Sequence, residues 1–143
     1  IDKAVTIAVD AKFATSGQDC LAANRIYVQR PLYDRFCTAF AKRIDALRTG
    51  SGLAEETDIG PLMHERAVQK VEEQVADALA HGARCLAGGK RHQAGPLFYQ
   101  PTLLADVPDQ ALIMREETFG PVAAVTSFDD EDEVIARANA TEY

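Results

Sequence analysis

The sequence predicts an α/β fold, a mostly parallel sheet sandwiched by helices, on three observations. Segments with apolar residues at three- to four-residue spacing alternate with short runs of strand composition, an alternation that calls for crossover connections between parallel strands. Val122 to Phe128 is nearly all apolar or β-branched, the pattern of a strand covered on both faces. With 143 residues, 47% of them hydrophobic, the chain has material for one compact core and too little for two of ordinary size.

Taken in order, Ile1, Val5, Ala8 or Val9, and Phe13 repeat at helical spacing and predict a first helix over Ile1 to Thr15. It stops at Ser16-Gly17, where glycine supplies a positive φ. Arg25 to Gln29 has strand composition and is closed by Pro31. Leu32, Phe36, Phe40, Ile44 and Leu47 form the core-facing stripe of a second helix, ended by Gly50 and Gly52. A third helix runs from about His64 to His81, with Gly82 as its stop. Arg84 to Ala87 reads as a short buried strand before Gly88-Gly89, and Pro101 to Val107 holds another extended stretch. Asp130 and Glu133 are spaced as a capping box for a last helix, Glu131 to Ala138. The chain opens inside a helix-like pattern and stops soon after one, at Asn139-Ala140-Thr141-Glu142-Tyr143, so residues 1–143 are expected to be part of a larger domain.

Composition narrows the partners. Asp and Glu number 22 against 15 Lys and Arg, and a formal net charge of −7 argues against nucleic-acid or anionic-membrane surfaces. No apolar run approaches the roughly 20 residues that cross a bilayer, and Ile1 to Val5 does not read as a signal peptide. Small-molecule partners and a cytoplasmic location are the expectation. Cys20, Cys37 and Cys85 are an odd number at irregular spacing, which suits neither a disulfide framework nor a zinc site, so no metal is expected and at least one thiol should be free. Gly88-Gly89-Lys90 follows no phosphate-loop pattern and reads as a turn.

Cys20 lies in Thr15-Ser16-Gly17-Gln18-Asp19-Cys20-Leu21-Ala22-Ala23-Asn24-Arg25. Gly17 permits a sharp turn, and a cysteine at the start of a helical turn would have unpaired backbone N–H groups aimed at its sulfur, favouring the reactive thiolate. The residues alone leave Cys20 open between a nucleophile and an inert core thiol. Cys37 on an apolar helix stripe and Cys85 in a buried strand read as packing residues. Nearly a hundred positions later comes Arg115-Glu116-Glu117-Thr118-Phe119-Gly120-Pro121-Val122. Its two carboxylates are either a solvated loop entering a strand or acceptors for sugar hydroxyls beside a ring that packs on a flat heterocycle.

Both segments resemble signatures of the aldehyde dehydrogenase superfamily: Gly17-Gln18-Asp19-Cys20 is similar to its Gly-Gln-x-Cys motif, and Glu116-Glu117-Thr118-Phe119-Gly120-Pro121 to its Glu-Glu-x-Phe-Gly-Pro motif. Gly60-Pro61-Leu62, Gln100-Pro101-Thr102 and Asn139 match in the same order, so the resemblance spans essentially the whole chain. Cys20 to Gln29 resembles the succinate-semialdehyde dehydrogenase branch in particular. The resemblance implies that Cys20 is the nucleophile, that Glu117 binds the nicotinamide ribose of NAD or NADP, and that Phe119 lies against the nicotinamide. It further implies an aldehyde substrate, oxidised to the acid through a thiohemiacetal and a thioester, in a homodimer or homotetramer. The superfamily's Glu-Leu-Gly-Gly base, its oxyanion-holding asparagine and its dinucleotide-binding region have no counterpart here, so the 143 residues alone should have little or no activity.

One departure bears on substrate choice. The succinate-semialdehyde branch carries an arginine six positions before the nucleophile to hold the substrate carboxylate, and here that position is Ala14. A dehydrogenase for another aliphatic aldehyde, one that passes the thioester to coenzyme A, and a non-catalytic module of the same fold are the competing readings. A cysteine hydrolase would need one of His64, His81 or His92 as base, and none stands in a supporting motif.

Overall fold

The computed structural model describes residues 1–141; the end of the chain at Glu142 and Tyr143 lies outside the described residues. The elements are α1 (Asp2–Phe13), β1 (Arg25–Gln29), α2 (Arg30–Asp45), α3 (Glu65–Ala80), β2 (Arg84–Ala87), β3 (Thr102–Ala105), α4 (Leu112–Arg115), β4 (Val122–Phe128) and α5 (Glu131–Asn139).

The four strands form one sheet in the order β1-β4-β3-β2. β4 lies between β1 and β3 and runs parallel to both, with Arg25 opposite Ala124 and Thr102 opposite Val122. β2 is the exception. It pairs antiparallel with β3 at the edge, through an irregular register between Cys85 and Ala87. The two-residue period of the strands sorts the core into two layers. Ala123 and Val125 of β4, with Leu103 and Ala105 of β3, face α1 and α2, where Val5, Val9, Phe13, Phe36, Phe40 and Ile44 are buried. Val122, Ala124 and Leu104 face the other way, onto Val68, Val71 and Val75 of α3 and Ile113 of α4. Phe40 is fully buried, with the rings of Phe36 and Phe13 centred 5.4 Å and 6.2 Å away.

Several boundaries differ from the sequence reading for local reasons. α2 starts one residue before Pro31, whose fixed φ and missing N–H suit a helix's first turn. Its buried stripe is Tyr33, Phe36, Cys37, Phe40 and Ile44; Leu32 is exposed, and the helix ends at Asp45, ahead of Gly50 and Gly52. β2 is not the buried strand expected: it is an edge strand, and Arg84 and Cys85 are both exposed. At α5 only half of the capping box forms. Asp130 Oδ1 accepts from the N–H groups of Asp132 and Glu133, but the Glu133 carboxylate turns to Arg137 at 3.2 Å. Arg137 also forms a bidentate pair with Asp109 and stacks over Tyr27, fastening α5 to the sheet. Among the described residues no helix is long and apolar enough to cross a membrane.

Candidate active site

α1 gives way at Ala14–Gly17 to a tight 3-10 turn in which Thr15 (φ 50°), Ser16 (φ 60°) and Gly17 (φ 69°) are all left-handed. For Thr15 and Ser16 this conformation costs roughly 1–2 kcal/mol each. Contacts made by the turn hold it in place. Ser16 Oγ accepts the Gly60 N–H at 2.8 Å and donates to the Gly60 carbonyl at 3.3 Å. The Gln18 amide donates to the Pro61 carbonyl and accepts the Met63 N–H. Gly17 touches residue 120 so closely that a Cβ on it would lie 2.2 Å from the Gly120 carbonyl oxygen, and a Cβ on Gly120 would lie 2.6 Å from Val71. The segment before Cys20, the Gly60-Pro61 loop and the entry to β4 are thereby pressed into one junction.

Cys20 is exposed, in an isolated turn and not at the start of a helix. Asp19 explains the difference. Its carboxylate accepts the Leu21 N–H and its carbonyl accepts the Ala22 N–H, after which the Ala23 N–H goes to Ala11. These bonds close a local turn, and the chain proceeds directly to β1. The other expected residues lie on the 116–120 segment just before β4. Glu117 is exposed, and Phe119 is half-buried. Phe119 lines an open cleft of about 640 Å3 with Met63, His64, Lys70, Val71 and Glu116; Cys20 and Glu117 stand outside its walls. Asn139 remains on α5, where its amide donates to the Ile135 carbonyl. The three histidines are each engaged locally: His64 Nδ1 accepts the Ala67 N–H as the cap of α3, His81 bonds Asp77, and His92 accepts the Ala94 N–H. No group of three or more His, Cys, Asp or Glu among the described residues could hold a metal ion.

Three site residues escaped the sequence reading. Lys12, fully buried at the end of α1, donates to the Thr118 carbonyl at 3.4 Å. Asn24 Oδ1 accepts the Thr118 N–H at 3.2 Å. Gln74, almost fully buried on α3, donates to the Glu117 carbonyl at 3.3 Å. Lys12 had a signal, since it falls on the buried helical stripe with Val5 and Val9.

Burial lowers the Lys12 pKa from its ordinary 10.5 to about 8, and the Glu117 carboxylate opposes the shift. The folded state thus gives up this proton before the unfolded chain does, and between those two values the unfolded chain binds more protons, so stability rises with pH there. Against a Lys12→Met variant, the wild type is expected to gain about 1 kcal/mol between about pH 7 and about pH 9. Urea denaturation of both proteins at the two pH values measures it; a difference that does not change with pH would mean the ammonium stays charged throughout.

The thiols also separate. Burial pushes the Cys37 thiol up to about 11, and desolvation raises Cys85, whose Sγ donates to the Ala87 carbonyl. A limiting thiol-selective electrophile is therefore expected to label exposed Cys20 first, roughly tenfold faster than Cys85, with Cys37 silent until unfolding. Peptide mass spectrometry reads the order directly, and faster labelling of Cys85 would contradict it.

The turn that carries Cys20 and the segment that carries Glu117 and Phe119 thus meet where Gly17 packs against Gly120. The chain belongs to the aldehyde dehydrogenase family, whose model matches residues 1–143. It is 51% identical over 143 residues to a succinate-semialdehyde dehydrogenase [NADP(+)] of Escherichia coli, covering 100% of this chain and 30% of that protein. A non-phosphorylating aspartate-semialdehyde dehydrogenase of Halomonas elongata is 52% identical over 141 residues, covering 99% of this chain and 29% of that protein. The crystal structure of a succinate-semialdehyde dehydrogenase from Burkholderia pseudomallei superposes with a TM-score of 0.97 at 42% identity, covering 99% of this chain and 29% of that one. The chain thus spans under a third of the length of these relatives.

Proposed function

We propose that the protein carrying this segment is a cytoplasmic NAD(P)+-dependent aldehyde dehydrogenase, that residues 1–143 are part of its catalytic domain, and that Cys20 is its nucleophile. The observation that carries this reading is the docking of Gly17 against Gly120, which seats the cysteine turn beside the Glu117–Phe119 segment although about a hundred residues separate them in sequence. In this reading the Cys20 thiolate adds to the aldehyde carbon to give a thiohemiacetal. Loss of hydride leaves a thioester on the same sulfur, which water cleaves to release the acid and regenerate the thiol. A dinucleotide, when bound, supplies the hydride acceptor. The residues present fit such a group: Glu117 offers an exposed carboxylate for ribose hydroxyls, and Phe119 offers a ring on the wall of an open cleft. The name of the E. coli relative supports NADP for that protein, and NAD or NADP is the proposal for this one.

The proposed substrate is an aliphatic semialdehyde. Ala14, exposed on the left-handed turn, offers no cation for a substrate carboxylate, and the similarity to both a succinate- and an aspartate-semialdehyde dehydrogenase keeps succinate semialdehyde one member of a class. The test is NAD(P)H formation by the complete protein on a panel of aldehydes. Turnover of a semialdehyde fits the proposal, and absence of dinucleotide reduction with every aldehyde sinks it. The 143 residues alone are proposed to have little or no turnover, because they contain neither the glutamate base nor the asparagine and dinucleotide region that the family mechanism uses. The parent enzyme is proposed to be a homodimer or homotetramer.

A further inference from the structure

We propose that Lys12, Asn24 and Gln74 are positioning residues that clamp the Glu117–Thr118 backbone, fixing the Glu117 carboxylate and the Phe119 ring relative to Cys20. The inference rests on the function proposed above. Three elements far apart in sequence send one polar side chain each to the same two residues. Lys12 comes from the end of α1, ahead of the cysteine turn, and holds the Thr118 carbonyl; Asn24, just after that turn, holds the Thr118 N–H; Gln74, on α3, holds the Glu117 carbonyl. The Cys20 turn is thus bracketed on both sides by residues that grip Thr118.

Cheaper ways exist to pack these positions. Lys12 and Gln74 occupy places on buried stripes whose other members are Val5 and Val9, and Val68, Val71 and Val75. Burying an ammonium or a primary amide among such neighbours costs stability that an apolar side chain would not. Within the cluster, Gln74 Oε1 and Thr118 Oγ1 are buried with no protein hydrogen-bond partner among the described residues. What the cluster does achieve is control of two peptide groups in a segment that has no strand or helix of its own, between α4 and β4.

The test is made in the complete protein with Lys12→Met, which keeps the length and removes the donor, and with Asn24→Leu, which removes the acceptor at a half-buried site and keeps the test open if the first variant folds poorly. Both are expected to raise the KM for the dinucleotide roughly tenfold while the KM for the aldehyde changes little; Lys12→Met should leave thermal stability unchanged or higher, and Asn24→Leu should lower it modestly because the buried Thr118 N–H loses its acceptor. Asn24→Asp, which keeps the acceptor oxygen, is expected to restore dinucleotide KM to within about twofold of wild type. Equal changes in both KM values together with a lower melting temperature, or no change in dinucleotide KM, would overturn the clamp while leaving the dehydrogenase reading intact. A wild-type protein that neither binds nor reduces a dinucleotide would overturn that reading, and with it the purpose assigned to the clamp.

Discussion

Cys20→Ala in the complete protein is expected to lower aldehyde oxidation by roughly 10^3-fold or more while leaving the melting temperature unchanged. The two halves of this result come from different features. On the proposed mechanism activity falls because alanine has no electron pair to offer the aldehyde carbon, so neither the thiohemiacetal nor the thioester can form and the reaction loses its two-step route. Stability is spared because Cys20 is exposed and the turn that presents it is held by Asp19, Gln18 and Ser16 rather than by the thiol. Cys85→Ala serves as the comparison, since that thiol sits on the edge strand β2, away from the junction, and should leave turnover near the wild-type value. Initial rates of NAD(P)H formation decide the matter. Full activity in Cys20→Ala would remove the proposed nucleophile outright.

Gly17→Ala should produce the largest loss of stability of any single methyl addition near the site. The new Cβ would lie 2.2 Å from the Gly120 carbonyl oxygen and 2.6 Å from its carbon, and both are backbone atoms that cannot rotate away. The residue also sits at φ 69°, which an alanine adopts only under strain. Relief requires the cysteine turn to lift off the entry to β4, undoing the Ser16–Gly60 bonds as it goes. A loss of roughly 3 kcal/mol or more is expected in chemical denaturation, with turnover reduced as well. Gly52→Ala is the contrasting substitution. Its Cβ would meet nothing within 4 Å, so stability should hold or rise slightly. Equal effects at the two positions would show that the Gly17 contact is not a tight joint.

These expectations mark where the sequence was readable and where it was not. β4 was plain because Val122 to Val125 are all apolar, the pattern of a strand covered on both faces, and both layers of the core bear it out. α2 was plain for the same reason in the helical period. The antiparallel direction of β2 was hidden, because a four-residue strand has the same composition whichever way it runs. α4 is a single helical turn, too short to display a period. The left-handed Thr15 is the sharpest failure. A β-branched residue is the wrong type for that region by any local rule, and only distant contacts, Ser16 with Gly60 and Gly17 with Gly120, hold the turn there. Motif resemblance pointed to Cys20, Glu117 and Phe119 as candidates, but what joins their segments was not readable, since the bonds from Lys12 and Asn24 to Thr118 cross about a hundred residues. Lys12 stood in view on a buried stripe, where a charge out of place was itself the clue.

The order of strands in the sheet also constrains how the polypeptide comes into being. β4 sits in the middle, yet it is the last of the four to be synthesised, and β1 and β3 both pair with it and not with each other. A nascent chain on the ribosome therefore makes β1 first and then roughly a hundred more residues before its neighbour emerges, several seconds at ordinary elongation rates. During that interval α1, α2 and β1 can gather around Phe13, Phe36 and Phe40, but β1 has no partner among these four strands. The pairing of β1 with β4 is thus a non-local event, and the same step brings the Glu117–Phe119 segment up to the segment that carries Cys20.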